Sequence, residues 1–223
     1  MTKFLWIIFF SFFLIKQLHG DVTIAWEKAS PSVVSIAPTW PGYENPGFGA
    51  PPGTSPEGTG IILSTDGHIL TASHVISKAI RIKIRDIEGN EYEAKVIFDD
   101  PTTDLAIIQS QIKIKPIVLA KNSPKIASKT CLISNSFGLN LSITCGVISA
   151  LGRRNIGFNQ IEDFIQTDAA SNPGSSGGAL INSDGELLGM MSGIFTKNTD
   201  TNAGVNFAVS LELIKKTIPW FNK

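Results

Sequence analysis

The chain has 223 residues, 43% of them hydrophobic and 17% charged, with Lys+Arg and Asp+Glu balanced at 19 each. That length permits one or two domains with a sizeable core, and the composition excludes a disordered chain or a coiled coil. Without a basic excess the chain lacks the electrostatic footprint of a nucleic-acid binder, so no nucleic-acid partner is expected.

Residues 1–20 differ from the rest, with Lys3, an apolar run from Phe4 to Ile15 and then Gln17-Leu18-His19-Gly20 ahead of Asp21. The run is shorter than the roughly 17–25 residues a membrane-spanning helix needs, so it reads as a secretory signal peptide that is cleaved. Membrane association is expected only if it stays uncleaved. Removing Lys3 and Lys16 leaves 17 basic against 19 acidic residues, a net charge of −2.

From Thr23 to Val34 the residues Ile24, Ala25, Ala29 and Val33 predict a short helix that ends before Pro31, followed by a strand. Pro38 to Gly58 carries six prolines and five glycines, a composition that cannot hold a strand ladder and reads as a long loop. Gly60-Ile61-Ile62-Leu63 and Ile69-Leu70-Thr71 flank Asp66-Gly67, a hairpin signal that puts His74 just past a strand. Further β-rich runs occupy Ile80–Ile84, Glu91–Phe98, Leu105–Ile108, Pro116–Leu119, Thr130–Ile133, Leu141–Ala150, Phe164–Thr167, Ala179–Ile181, Leu187–Met191 and Val205–Val209. Parallel sheets would need helices between them, and only Ser210–Phe221 reads as helical, so the chain is predicted all-β and antiparallel. No internal repeat is evident in the sequence.

Cys131 and Cys145 flank a predicted hairpin at Ser134–Leu141. In an exported protein they form either a disulfide or two small core hydrophobes, and the sequence leaves both open. Two cysteines without clustered histidines fall short of a closed metal site, so no metal and no other cofactor is expected.

The chemistry-bearing residues sit in three segments, Thr71-Ala72-Ser73-His74, Asp104-Leu105-Ala106 and Pro173-Gly174-Ser175-Ser176-Gly177-Gly178. Acyl transfer needs a hydroxyl nucleophile, an imidazole to take its proton and a carboxylate to fix the imidazole's tautomer. Ser176, followed directly by two glycines, is the candidate nucleophile, with Ser171 and Ser175 as lesser rivals. Once His19 leaves with the signal, only His68 and His74 remain, and His68 belongs to the hairpin turn. His74 is therefore the candidate base. Asp104 precedes an apolar strand that can half-bury its carboxylate, whereas Asp99 and Asp100 beside Pro101 read as turn residues bonded to their own backbone. The order His, Asp, Ser is that of the chymotrypsin type. The glycine-rich turn supplies an oxyanion hole across Gly174, Ser175 and Ser176, with the amides of Gly174 and Ser176 as its natural donors. An ordinary Gly/Ser loop is the plain alternative for this segment.

These segments, with Gly58-Thr59-Gly60-Ile61-Ile62, Asp66-Gly67-His68-Ile69-Leu70-Thr71, Ile165-Gln166-Thr167-Asp168-Ala169-Ala170 and Val205-Asn206-Phe207-Ala208-Val209, resemble the HtrA (Deg) family of trypsin-like serine proteases. The resemblance implies two six-stranded β-barrels, residues 21–117 carrying His74 and Asp104 and residues 118–223 carrying Ser176. It also implies unfolded polypeptide substrates, a role in extracytoplasmic protein quality control, and a periplasmic or secreted location. It puts Ser171, Ile194 and Phe195 around the pocket for the side chain preceding the scissile bond. No acidic residue lies at that pocket's base, so cleavage after small or medium aliphatic residues is expected rather than after Lys or Arg.

The chain departs from the family at Ser175, where Asn is usual, and at Ser134-Asn135-Ser136-Phe137-Gly138, where the family has Gly-Asn-Pro-Phe-Gly. Since Lys223 follows the protease segment directly, no PDZ domain is expected. Arg153–Asp163, Ser171–Ser175 and Gly193–Gly204 match loops that in the family order on activation. Trp26 and Trp40 offer N-terminal aromatics of the kind through which family members trimerise, with a place in the core as the equal alternative. A binding protein with a collapsed site and a processing protease with one target are the competing expectations.

Overall fold

The computed structural model describes residues 22–41, 57–194 and 203–222. The expected signal peptide, most of the Pro38–Gly58 stretch and Phe195 lie outside the described residues. The described residues open with helix α1 (Val22–Ala29), which buries Ala25 and Ala29, and a 3-10 turn at Ser30–Ser32 with Pro31 at its start.

Six strands then form a closed antiparallel barrel: β1 (Val33–Thr39), β2 (Gly58–Ile62), β3 (His68–Ala72), β4 (Arg81–Arg85), β5 (Glu91–Asp100) and β6 (Leu105–Ser110). Their spatial order is β1-β2-β3-β6-β5-β4, and β4 pairs back onto β1. Strands β7 (Lys129–Ser134), β8 (Ser142–Arg153), β9 (Phe164–Thr167), β10 (Ala179–Ile181), β11 (Leu187–Ile194) and β12 (Asn206–Ser210) close a second barrel in the order β10-β11-β12-β9-β8-β7. Both barrels follow one strand order, a repetition of topology that the sequence does not betray. Closure removes the exposed edges that would template aggregation. Inward-facing β-branched and aliphatic residues fill each barrel, with Ile36, Ile69 and Ile107 buried in the first and Leu132, Leu180 and Met190 in the second.

The predicted strand at Pro116–Leu119 is corrected by the structure. This stretch joins the barrels, and its only ladder feature is a bridge from Leu119 to Leu187. Its backbone bonds go to both barrels, Ile117 N–H to the Ile62 carbonyl and Leu187 N–H to the Val118 carbonyl. Of its apolar residues, Ile117 is buried, Leu119 is half-buried and Val118 is exposed.

Cys131 and Cys145 face each other across β7 and β8 and are joined as a disulfide. Helix α3 (Leu211–Thr217) begins at Ser210, whose hydroxyl accepts the Leu213 N–H and donates to the Asp163 carboxylate. It is shorter than predicted because Pro219 cannot continue it, and a 3-10 turn at Pro219–Asn222 follows. There Trp220 packs against His68 at 5.7 Å and Phe98 at 6.1 Å between ring centroids.

Candidate active site

His74 lies in the short helix α2 (Ser73–Ile76) that caps the end of β3. Its ring is half exposed, and Nδ1 is 2.9 Å from Asp104 Oδ1 and 3.0 Å from Oδ2. Asp104 sits at the turn into β6 with φ +60°, a left-handed conformation that Asp tolerates better than most residues. In that conformation its carbonyl accepts the Ser73 N–H at 3.1 Å, while Oδ1 accepts the His74 N–H at 3.0 Å. The carboxylate is thus fastened to the very segment that carries the imidazole. Oδ2 also accepts a 2.6 Å hydrogen bond from the buried Ser192 hydroxyl of the second barrel.

Asp99 and Asp100 stand apart from this cluster at the end of β5. The Asp100 carboxylate accepts bonds from Thr102 and Thr103. Burial alone would raise its pKa, but those bonds outweigh it and hold the group below its ordinary value.

Ser176 lies in the turn between β9 and β10, and its hydroxyl donates to the Ser192 carbonyl at 3.4 Å. Ser192 therefore touches both ends of the constellation, through Oγ to Asp104 and through its carbonyl to Ser176. The glycines around Ser176 serve close approach. Gly177 has φ +86°, and a Cβ there would fall 1.9 Å from the Thr59 carbonyl oxygen of the first barrel. Gly174 has φ +91°, and a Cβ there would fall 2.3 Å from the Asn135 carbonyl oxygen.

The peptide planes of this turn are pinned one by one. The Pro173 carbonyl accepts the Phe137 N–H at 2.7 Å, and the Gly174 carbonyl accepts the Thr59 hydroxyl at 2.8 Å. Thr59 also accepts the Asn135 N–H at Oγ1 and donates its own N–H to the Ser176 carbonyl. With these carbonyls turned away, the amides of Gly174 and Ser176 have no protein acceptor among the described residues. The Ser175 amide, included in the expected oxyanion hole, is instead bonded to the Asn172 carbonyl at 2.8 Å. Its side chain is fully buried, and its hydroxyl lies 3.0 Å from Ser134 Oγ and 2.9 Å from Ser136 Oγ. The three departures at 134, 136 and 175 therefore contact one another behind the turn.

Ser171 is buried ahead of the Ser176 turn, and Ile194 closes β11, its side chain lying with Phe195 outside the described residues. A cleft of about 420 Å³ runs beside His74, lined by Ser73, Pro101, Phe158, Asn159, Ser192 and Gly193 among others. Among the described residues, no group of three or more His, Cys, Asp or Glu side chains could hold a metal ion.

Sequence reasoning missed Thr59, Ser192, Phe158 and Glu162. Thr59 stood in a quoted motif without a role. Ser192 looked like any serine near a glycine. The other two belong to an irregular loop whose position only the folded structure gives.

The trypsin-like peptidase domain family matches residues 58–190. A probable periplasmic serine endoprotease DegP-like from Chlamydia muridarum is 42% identical over 163 residues, 72% of this chain and 33% of that protein. The periplasmic serine endoprotease DegP of Escherichia coli K12 is 38% identical over 162 residues, 71% of this chain and 34% of that protein. This chain thus spans about a third of the length of these curated relatives. Among solved structures, the HtrA-type protease AlgW with decapeptide superposes with a TM-score of 0.75 at 33% identity, covering 90% of this chain and 67% of that one. The fold expected from the sequence, a double six-stranded barrel of the chymotrypsin type, is the one observed. On the family match and this structural agreement together, the chain belongs to the trypsin-like peptidases, as an HtrA-type protease domain.

Proposed function

We propose that the protein is a serine endopeptidase that hydrolyses peptide bonds through an acyl-enzyme on Ser176. The observation that carries this reading is the bidentate approach of His74 Nδ1 to a buried Asp104 carboxylate, beside a turn that leaves two amides open. Asp104 fixes the tautomer with the proton on Nδ1, which leaves Nε2 free to act as base. Ser176 turns its hydroxyl from the Ser192 carbonyl to Nε2, attacks the substrate carbonyl carbon, and passes its proton to the imidazole. The carbonyl oxygen becomes an oxyanion held by the Gly174 and Ser176 amides, each such donor being worth about 10²–10³ in turnover. The imidazolium then protonates the leaving amine as the C–N bond breaks. A water activated by His74 releases the acyl group and restores Ser176.

The pocket beside Ser171 carries no carboxylate in this reading and takes small or aliphatic side chains. Substrates are unfolded polypeptides in this reading. The site of action is extracytoplasmic, as the names of the periplasmic relatives support. The test is incubation of the purified protein and its Ser176→Ala variant with unfolded casein and a folded control, with cut sites mapped by mass spectrometry. Casein-only cleavage after aliphatic residues, abolished in the variant, is expected. Cleavage that survives in the variant, or none by either protein, defeats the reading.

A further inference from the structure

Residues 154–163, between β8 and β9, leave the second barrel and reach across to the first. Ile161 N–H bonds the Thr102 carbonyl at 2.9 Å, and Asn159 Nδ2 bonds the Thr103 carbonyl at 3.3 Å, both just ahead of Asp104. Inside the loop, the Glu162 carboxylate is wrapped by four backbone amides. Oε1 accepts from Gly157, Phe158 and Asn159 at 3.0, 2.8 and 3.0 Å, and Oε2 accepts from Ile156 at 2.6 Å. A carboxylate gathering successive N–H groups in this way fixes the backbone around it.

The fixed backbone aims one side chain. Phe158 stands edge-on to Phe164 at 6.2 Å and tilted on Phe207 at 5.6 Å, so its ring is rooted in the second barrel. Yet it remains 41% exposed, because its free surface looks into the cleft beside His74. Gly193 lies beneath the ring, where even a Cβ would already meet Phe158 at 3.5 Å, so the absent side chain leaves the ring open to the cleft.

In the serine endopeptidase reading, a substrate whose scissile carbonyl sits at Ser176 would run its acyl side along Ser192 and Gly193, which line the cleft beside His74. In an extended peptide successive side chains point to opposite sides. With the last acyl-side residue in the pocket by Ser171, the one before it points toward His74, Pro101 and Phe158.

We infer that Phe158 is a specificity-determining residue that selects an apolar side chain at the second position before the scissile bond, and that Glu162 is the positioning residue that holds it there. This rests on the serine endopeptidase reading and deepens it. The wall presented there is aromatic and proline, with Ser73, Ser77 and Asn159 as uncharged neighbours, and its two ionisable members, His74 and Asp104, are bonded to each other, so it gives an acidic or basic side chain no unpaired counter-ion.

The experiment uses peptides identical except for Leu, Gly or Asp at that second position. Cleavage is measured by kcat and KM, and binding of the same peptides to the Ser176→Ala protein is measured by calorimetry. Leu is expected to exceed Gly by about tenfold in kcat/KM, the share of side-chain burial that one aromatic wall supplies, with Asp poorer still. Phe158→Ala reduces the Leu/Gly ratio to about twofold, mostly through KM. Glu162→Gln does the same, since an amide offers one acceptor and adds two donors against the N–H groups, while Phe158 itself is untouched. A Leu/Gly ratio unchanged in both variants overturns the inference. Binding selectivity that follows Phe158 without any cleavage by the unmutated protein supports the inference and sinks the catalytic reading instead.

Discussion

Thr59→Val removes one hydroxyl and nearly no volume, and it attacks the seam that holds the Ser176 turn. Thr59 is fully buried; its Oγ1 donates to the Gly174 carbonyl at 2.8 Å and accepts the Asn135 N–H at 2.9 Å. The Asn135 N–H is then left without its acceptor in a buried setting, while the half-buried Gly174 carbonyl loses its donor. A buried group left unsatisfied costs about 1–3 kcal/mol, so the Asn135 amide alone sets a cost of about 1–3 kcal/mol. For a chain of this size that lowers the melting temperature by roughly 2 °C at least, at about 2–4 °C per kcal/mol. The same loss frees the Gly174 peptide to rotate, and turnover falls by at least about tenfold, toward the 10²–10³ of a missing oxyanion donor. Thr71→Val is the comparison, since its hydroxyl donates only to the Thr59 carbonyl at 2.8 Å. It should cost about 1–3 kcal/mol and leave turnover within about threefold, an estimate resting on an untouched Gly174 peptide. Differential scanning calorimetry and peptide kinetics on the three proteins decide the matter. A Thr59→Val protein that melts within 1 °C or so of the unmutated one and keeps its kcat would refute the claim that the first barrel holds the turn.

Three further outcomes follow from the site and the fold. Asp104→Asn keeps the left-handed backbone but leaves His74 in the wrong tautomer, and kcat should fall by about 10⁴ with little change in melting temperature. Reducing the Cys131–Cys145 bridge, which spans 14 residues, should destabilise the protein by about 3 kcal/mol on the chain-entropy estimate, visible as a melting point about 6–12 °C lower. Glu162, which burial would raise, is held below 4.5 by its four amide bonds, as Asp100 is held below 3.8. Their stabilisation is complete above those ordinary values and is lost as pH falls through the lowered folded-state values. Thermal melts below pH about 4.5 should therefore show an acid limb that flattens in Glu162→Gln and Asp100→Asn.

Much of this arrangement was legible in the sequence because its signals are local. Short β-branched runs punctuated by Gly, Pro and Asp gave nearly every strand, and β9 and β10 coincide with their predicted ranges. The histidine, aspartate and serine each carried a distinctive neighbourhood, and the glycines after Ser176 mark the close approach of Thr59. Pro116–Leu119 misled because an apolar run that joins two barrels, with Ile117 buried and Val118 exposed, looks the same as one in a ladder. Closure of the barrels through β1 with β4 and β7 with β10 is a non-local pairing that no periodicity encodes. Ser192 and Phe158 were silent because their contacts come from distant parts of the chain, Ser192 with Asp104 88 residues away and Phe158 with Phe207, and Glu162 because its bonds to the amides of residues 156–159 sit in an irregular loop that no periodicity marks.

The claim at the centre of this account is that Ser176 is a nucleophile activated by His74. Treating the purified protein with diisopropyl fluorophosphate and mapping the adduct by mass spectrometry tests it directly. The account predicts a single diisopropylphosphoryl group on Ser176, with labelling slowed by orders of magnitude in His74→Ala and absent in Ser176→Ala. An adduct on another residue, or labelling of Ser176 at an unchanged rate without His74, would contradict it.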